Sequence, residues 1–270
     1  MNKGPMPPTL QENGQALPND HGYGVFLEKT IRGAGSLLRS VLDSGNMVGS
    51  WCDVMMSRFI IKAIADRYPE HGYITEEEGS VDKGRDAFTW IIDPIDGSEN
   101  FYRGILSYSV SISLMRRGQV LIGAVYEPYV DRLFYGENGK GAVLNGQAIH
   151  VSETSSICEA VVAISRHKSF LCSKSNQSLV FQRLVEGLNV RISASTALDM
   201  CYVAMGAIEG RVMANTRIWD NSAATLIVRE AGGMVTDWKG QLPKHEARAL
   251  LASNGLCHFE LLNFLGSVSK

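Results

Sequence analysis

The 270-residue chain has no long apolar run, no block of like charge and no paired cysteines. A helix that crosses a bilayer needs about 20 consecutive apolar residues, and no stretch approaches that, so a chain that crosses a membrane by helices is excluded. The opening MNKGPMPPTLQENGQALPND lacks the apolar segment of a secretory signal and reads as a flexible tail over residues 1–20. Lysine and arginine number 26 against 28 acids, are scattered, and leave a formal net charge of -2. Without a basic stripe there is no electrostatic footprint for a nucleic-acid backbone, and no nucleic-acid partner is expected. Cys52, Cys158, Cys172, Cys201 and Cys257 are odd in number, far apart and form no CxxC pair. That argues against a disulfide framework or a thiolate zinc site and suits reduced thiols in a cytoplasmic protein. There is no internal repeat, and nothing of low complexity beyond the tail.

What is present is a globular composition, 45% hydrophobic and 20% charged, sufficient for one large domain or two closely packed halves. Leu27, Ile31, Ala34, Leu38, Val41 and Leu42 recur at helical spacing and predict an amphipathic helix over residues 23–42. A second helix is predicted over 53–68, with Asp53 as its N-cap and Pro69 as its stop. Serines 107, 109, 111 and 113 alternate with Tyr108, Val110, Ile112 and Leu114, the pattern of a strand with one covered face. Residues 119–126 and 132–135 continue an antiparallel sheet, and Asn145-Gly146 between 141–144 and 147–151 predicts a hairpin. From residue 152 the pattern becomes α/β: strand 160–165, helix 176–188, strand 190–194, helix 196–206. The reading is an α+β half over 21–151 and an α/β half over 152–270. No linker marks the boundary, so the halves are expected to pack as one body.

The chemistry centres on WIIDPIDGSENF at 90–101, where an apolar run is followed by Asp93 and Asp96 around Pro94. Taken alone, such a stretch is a surface turn. The run Glu76-Glu77-Glu78 taken alone is a solvated face, and Asp220 in IWDNSAATLIVREAGG a helix N-cap. Gly232-Gly233 is the stop of that helix before a strand at 234–236. Yet Asp53, Glu76, Asp93, Asp96 and Asp220 all stand where elements begin or end, which is where sites are assembled. Two carboxylates about 4 Å apart repel by roughly 1 kcal/mol in water and about 4 at an effective dielectric of 20. A divalent cation would reverse that sign. Oxygen donors without cysteine or clustered histidine point to a hard ion, Mg²⁺ before Ca²⁺ or Mn²⁺. Gly97 and Ser98 supply a close-approach backbone and a helix start for an anion. Together these suit metal-assisted phosphoester hydrolysis.

With these motifs the sequence resembles the inositol monophosphatase family of Mg²⁺-dependent, lithium-sensitive phosphatases. WIIDPIDGSENF is similar to its first signature, WDNSAATLIVREAGG to its second, and the similarity runs from about residue 23 to 265. The resemblance implies a layered αβαβα sandwich of the inositol monophosphatase/fructose-1,6-bisphosphatase type, a homodimer, and two or three Mg²⁺ ions per subunit. It implies Glu76, Asp93, the carbonyl of Ile95, Asp96 and Asp220 as metal ligands, with Asp93 bridging two ions. Ser98 stands for a threonine that orients the attacking water, Asp53 supports that network, and Glu76 helps to take the proton. Gly97 and Ser98 amides would hold phosphate oxygens, with Asp96, Ser195 and position 213 around the substrate. The implied reaction is direct attack of metal-activated water on a small phosphomonoester, inositol monophosphate first. Histidinol phosphate, fructose 1,6-bisphosphate and 3′-phosphoadenosine 5′-phosphate are substrates of relatives. Met213 departs from the family, since members acting on inositol phosphate carry there an acid that contacts sugar hydroxyls, and a thioether accepts such bonds poorly. Ala194, in RISAST, stands where glycine is common. A non-catalytic binding or regulatory member is the alternative class.

Overall fold

The computed structural model describes residues 22–45, 48–164, 176–244 and 247–266. The tail expected over residues 1–20 and the last residue of the strand expected at 160–165 lie outside them. Two amphipathic helices come first. In α1 (Tyr23–Asp43) the stripe of Leu27, Ile31, Ala34 and Leu38 is buried, as its spacing predicts. Helix α2 (Trp51–Arg67) buries Cys52, Met56, Ile60 and Ile64. It begins at Trp51 after Ser50, so Asp53 lies within the first turn and is not the N-cap.

Both helices cover one face of an eight-stranded sheet. Its strands are β1 (Gly72–Thr75), β2 (Gly79–Val81), β3 (Phe88–Asp96), β4 (Ser109–Arg116), β5 (Gln119–Glu127), β6 (Arg132–Glu137), β7 (Gly141–Leu144) and β8 (Gln147–Ala148), in the order β2-β1-β3-β4-β5-β6-β7-β8. The predicted hairpin joins β7 and β8, with Asn145 and Gly146 at φ 48° and 81°. Both values are positive, as a tight two-residue turn between twisted strands requires.

The other face of this sheet is covered too. Helices α5 (Thr196–Ala204) and α6 (Ile218–Glu230) lie between it and a second sheet of β9 (Val161–Ile164), β10 (Asn189–Arg191), β11 (Gly210–Ala214), β12 (Met234–Asp237) and β13 (Ala249–Ser253). That sheet runs β10-β9-β11-β13-β12. Its outer face carries α4 (Asn176–Gly187) and α7 (His258–Gly266), packed around Val180, Leu184, Leu251, Leu261 and Leu265. The remaining helix, α3 (Ser98–Tyr102), is a single short turn after β3. The result is five layers, αβαβα, as the resemblance implies.

One strand departs from its pattern in an instructive way. The alternation in β4 suggests one covered face, yet Ser109, Ser111 and Ser113 are as buried as Tyr108, Val110 and Ile112. The serines face α6, where the Ser113 and Ser222 hydroxyls bond to each other. Small side chains allow that approach. A Cβ on Gly123 of β5 would stand 2.9 Å from the Ala223 Cα, and one on Gly136 of β6 would stand 3.2 Å from Ile227 Cγ1.

Candidate active site

Strand β3 does not turn outward at its acids. Pairing with β4 matches Asp93 to Ser111 and Asp96 to Ser109, so three steps on one strand meet two on the other. This bulge accommodates Pro94, which has no N–H for the ladder, and re-aims the side chains around it. Asp93 and Asp96 are left only 3% and 6% exposed, so the surface turn that the stretch suggests in isolation does not form. The Ile95 amide donates back to Asp93 Oδ1 at 3.2 Å.

Asp96 is the most heavily supported acid. Ser109 Oγ donates to it at 3.1 Å, the Thr196 and Ala197 amides at 2.9 and 3.0 Å, and the Ser195 hydroxyl also donates. The two amides belong to the first turn of α5, whose N–H groups have no partner within the helix and favour negative charge. The loop that presents them is braced from below. Arg211, 1% exposed, lies 3.1 Å from Asp199 and donates to Thr196 Oγ1, while Ser193 donates to Asp199. Ala194 adopts a left-handed φ of 64°, and Gly97, at φ 84°, fits against it. A Cβ at 97 would lie 3.0 Å from Ser107 O and 3.3 Å from Ala194 O, so glycine is required there both by conformation and by space. Asn100 Nδ2 ties α3 to both flanking loops by bonds of 2.7 Å to Ser107 O and Ser193 O.

Asp220 occupies the first turn of α6 with Arg217 as the N-cap. It is therefore not the cap itself: its carboxylate reaches back to the Arg217 amide at 2.7 Å and accepts from Thr216 Oγ1 at 3.1 Å. Glu76 follows β1, whose last residue, Thr75, is tied to Ser57 of α2 by a 3.0 Å hydroxyl pair. Although Glu76 lies on an exposed rim, desolvation and the charges of Asp220, Glu77, Asp53 and Asp96 push its carboxyl up to about 7. Asp220 is pushed up to about 6, chiefly by burial, with Asp96 adding to it. Asp93 is raised well above the usual carboxylate range by burial first and then by Asp96, Glu76 and Asp220. Asp96 is also raised by burial, an effect its four donors oppose.

Four carboxylates from three segments, the turn after β1, strand β3 and the first turn of α6, thus share one unfavourable electrostatic environment. Among the described residues no three His, Cys, Asp or Glu side chains stand close enough together to hold a metal ion by themselves. The donor set itself, oxygen only and over-supplied with negative charge, fits a hard divalent cation.

Asp53, 4% exposed, accepts a hydrogen bond from the Tyr102 hydroxyl. Nothing in the sequence reading singled out Tyr102; its signal is its place four residues after Ser98 on a helical turn, which puts both on one face. Arg211 and Asp199 were missed as well, because a buried ion pair has no sequence signature of its own. Ser195 is wholly buried with its hydroxyl on Asp96, and Met213 is wholly buried in the middle core beside β13. The side chain at 213 thus faces the core.

Residues 38–265 match the model of the inositol monophosphatase family. An inositol-1-monophosphatase of Mesorhizobium japonicum is 30% identical over 256 residues, 92% of this chain and 90% of that protein. A fructose-1,6-bisphosphatase/inositol-1-monophosphatase of Thermotoga maritima is 35% identical over 78% of this chain and 79% of its own length. A Nus factor SuhB of Vibrio cholerae is 32% identical over 86% of each. The structure of an inositol monophosphatase from Anabaena superposes with a TM-score of 0.85 at 29% identity, covering 93% of this chain and 97% of that one. With the family model spanning most of the chain and the five layers shared with the solved structure, the chain belongs to the inositol monophosphatase family.

Proposed function

We propose that this protein hydrolyses a small phosphomonoester with Mg²⁺, and that Glu76, Asp93, Asp96, Asp220 and the Ile95 carbonyl would hold the cation. The observation that carries this reading is the set of mutually repelling carboxylates beside the backbone donors of Gly97 and Ser98. When bound, Mg²⁺ would supply charge neutralisation at the phosphate and a more acidic water. The chain's own residues do the rest. The Gly97 and Ser98 amides hold phosphate oxygens, and Asp93, buried and rigid, fixes the position of the bound charge. Glu76 and the Ser98 hydroxyl accept hydrogen bonds from the attacking water, and Asp53 supports Ser98. No covalent intermediate on the protein is needed.

Recognition of the leaving alcohol is looser. Met213 lies in the core and Asp96 has four donors of its own, so few acceptors remain for a polyol. A site that does not bind substrate hydroxyls closely rejects analogues weakly. Inositol 1-phosphate and fructose 1,6-bisphosphate are therefore expected to have kcat/KM values within about tenfold of one another, a reading that the Thermotoga maritima relative named for both activities supports. As in those proteins' family, a homodimer is the expected assembly, checked by light scattering.

The test is phosphate release from inositol 1-phosphate, fructose 1,6-bisphosphate, histidinol phosphate and 3′-phosphoadenosine 5′-phosphate, with Mg²⁺ and with EDTA. Turnover is expected to need Mg²⁺ and to fall by roughly 100-fold or more in Asp93→Asn. The relatives named Nus factor favour a second reading, in which the fold serves as a factor without turnover. A folded, Mg²⁺-binding protein that releases no phosphate from any of the four would favour it.

A further inference from the structure

Three of the four donors on Asp96, the Ser195 hydroxyl and the Thr196 and Ala197 amides, sit on consecutive residues at the start of α5. Their position is set from the second sheet. Arg211 lies on β11, which is paired on both sides, with β9 and with β13. From there its guanidinium donates to Thr196 Oγ1 at 3.2 Å and stands 3.1 Å from the Asp199 carboxylate, so one side chain grips the first turn of α5 at two points. Asp199 in turn accepts from Ser193 Oγ at 2.6 Å, and the same hydroxyl accepts from the Ser195 amide at 3.2 Å. Between these two serines Ala194 holds its left-handed φ of 64°, a conformation that persists only where the surroundings over-determine it. The Arg211 and Asp199 side chains are 1% and 3% exposed. Stability alone does not account for burying them, since replacing a whole buried ion pair by neutral side chains of similar volume often costs a fold nothing. The guanidinium does not lose its proton, so the positive charge behind this loop is permanent.

We propose that the buried Arg211–Asp199 pair is a positioning device for the cation site: it fixes residues 193–197 so that their donors hold the Asp96 carboxylate in the orientation that receives a divalent ion. This rests on the assignment of Asp96 to the cation in the phosphatase reading and deepens it. Arg211 and Asp199 are positioning residues, acting through Thr196, Ser195 and Ser193. Both oxygens of Asp96 are directed by the loop, Oδ1 by the Thr196 amide and Oδ2 by Ser195 and Ala197. A carboxylate already ordered by its donors gives up little freedom when an ion arrives, which is how such partners strengthen metal binding. Without the pair, Ala194 is free to leave its left-handed conformation, and the Thr196 and Ala197 amides move off Asp96. The affinity for Mg²⁺ therefore depends on two side chains in the layer behind the site.

The experiment uses the whole chain with Mg²⁺ alone. Isothermal titration calorimetry gives the dissociation constant, and thermal unfolding in EDTA gives the stability. The double variant Arg211→Met, Asp199→Asn removes both charges together, so no lone charge stays buried, and Ser193→Ala removes one hydroxyl. Leu265→Ala, in the outer core, is a control that loosens the fold away from the loop. The dissociation constant is expected to rise about 10- to 100-fold in the double variant and about three- to tenfold in Ser193→Ala. In Leu265→Ala it is expected to stay at the wild-type value although the unfolding temperature falls. Arg211→Lys keeps the charge but lacks the planar fork that reaches Thr196 and Asp199 together, and is expected to lie between wild type and the double variant. A folded double variant that binds Mg²⁺ within about twofold of wild type overturns the proposal. Should the double variant fail to fold, Arg211→Lys and Ser193→Ala carry the test, and wild-type affinity in both overturns it. A rise in Leu265→Ala as large as in the loop variants means general loosening and overturns it as well. Wild type that binds Mg²⁺ but releases no phosphate from p-nitrophenyl phosphate overturns the phosphatase reading alone, because weaker binding by the double variant would still support the positioning role. Wild type that binds no Mg²⁺ overturns both.

Discussion

Single residues carry strain and burial that can be measured one at a time. Ala194 holds φ 64°, a conformation that costs a side-chain-bearing residue about 1–2 kcal/mol. Ala194→Gly removes that strain but gives the unfolded chain more freedom, worth about 0.4–1 kcal/mol. A net gain of up to about 1 kcal/mol in urea unfolding is expected. His258 is wholly buried, with Ser253 Oγ at 2.7 Å from Nδ1 and Thr236 Oγ1 at 2.9 Å from Nε2. Burial lowers its pKa from 6.5 to about 4. A depressed folded pKa means that the unfolded state binds the proton first, so stability is full above about pH 6.5 and is lost as pH falls toward 4. The loss attributable to this residue is about 3 kcal/mol, and His258→Gln is expected to flatten unfolding free energy against pH across that window. At this scale the two signatures were legible because their residues lie next to each other in the chain. The pattern suggests Asp53 as a cap, whereas the helix starts after Ser50, which makes no side-chain cap bond and so leaves no local signal of the boundary. The true partner of Asp53, Tyr102, depends on where α2 and α3 come to rest, which no local pattern encodes.

Elements position the acids, and α6 does so most directly. Its first turn carries Asp220, and its body lies on β5 and β6 at glycines that leave no room for a Cβ. Gly123→Ala is expected to push α6 outward and destabilise the fold by about 1–3 kcal/mol in urea titration. It is also expected to raise the Mg²⁺ concentration needed for half-maximal turnover, since Asp220 moves with the helix. Gly136→Ala, with a longer nearest approach, is expected to do less of both. Most elements were readable from period alone, α1 and the β7–β8 hairpin with little error. Strand β4 was read as half-covered because serine resembles a solvent-facing residue in a two-residue period. Here the serines are small spacers that admit a helix, and only the neighbouring layer reveals this.

At the scale of the whole molecule, the acids could be picked out in the sequence but their convergence could not. Glu76 follows the first strand, Asp93 lies in the first sheet, Asp220 belongs to a middle helix, and three of the four donors on Asp96 come from residues 195–197 at the start of another. Their shared charge makes the cation-free protein sensitive to pH. Glu76 and Asp220, raised to about 7 and about 6, favour folding when protonated. That contribution is present below their unfolded pKa values and is lost as pH rises through 6 to 7. A cation reverses the sign but must displace the protons first. Mg²⁺ is therefore expected to raise the unfolding temperature more at pH 7.5 than at pH 5, by the equivalent of about 2.7 kcal/mol when free ion reaches 100 times its dissociation constant. The placement of Asp96 between layers has a consequence for biosynthesis. Glu76, Asp93 and Asp96 leave the ribosome well before residues 195–197 and Asp220. A nascent chain thus carries like charges that it cannot yet support, and the acidic cluster is completed only with the last third of translation.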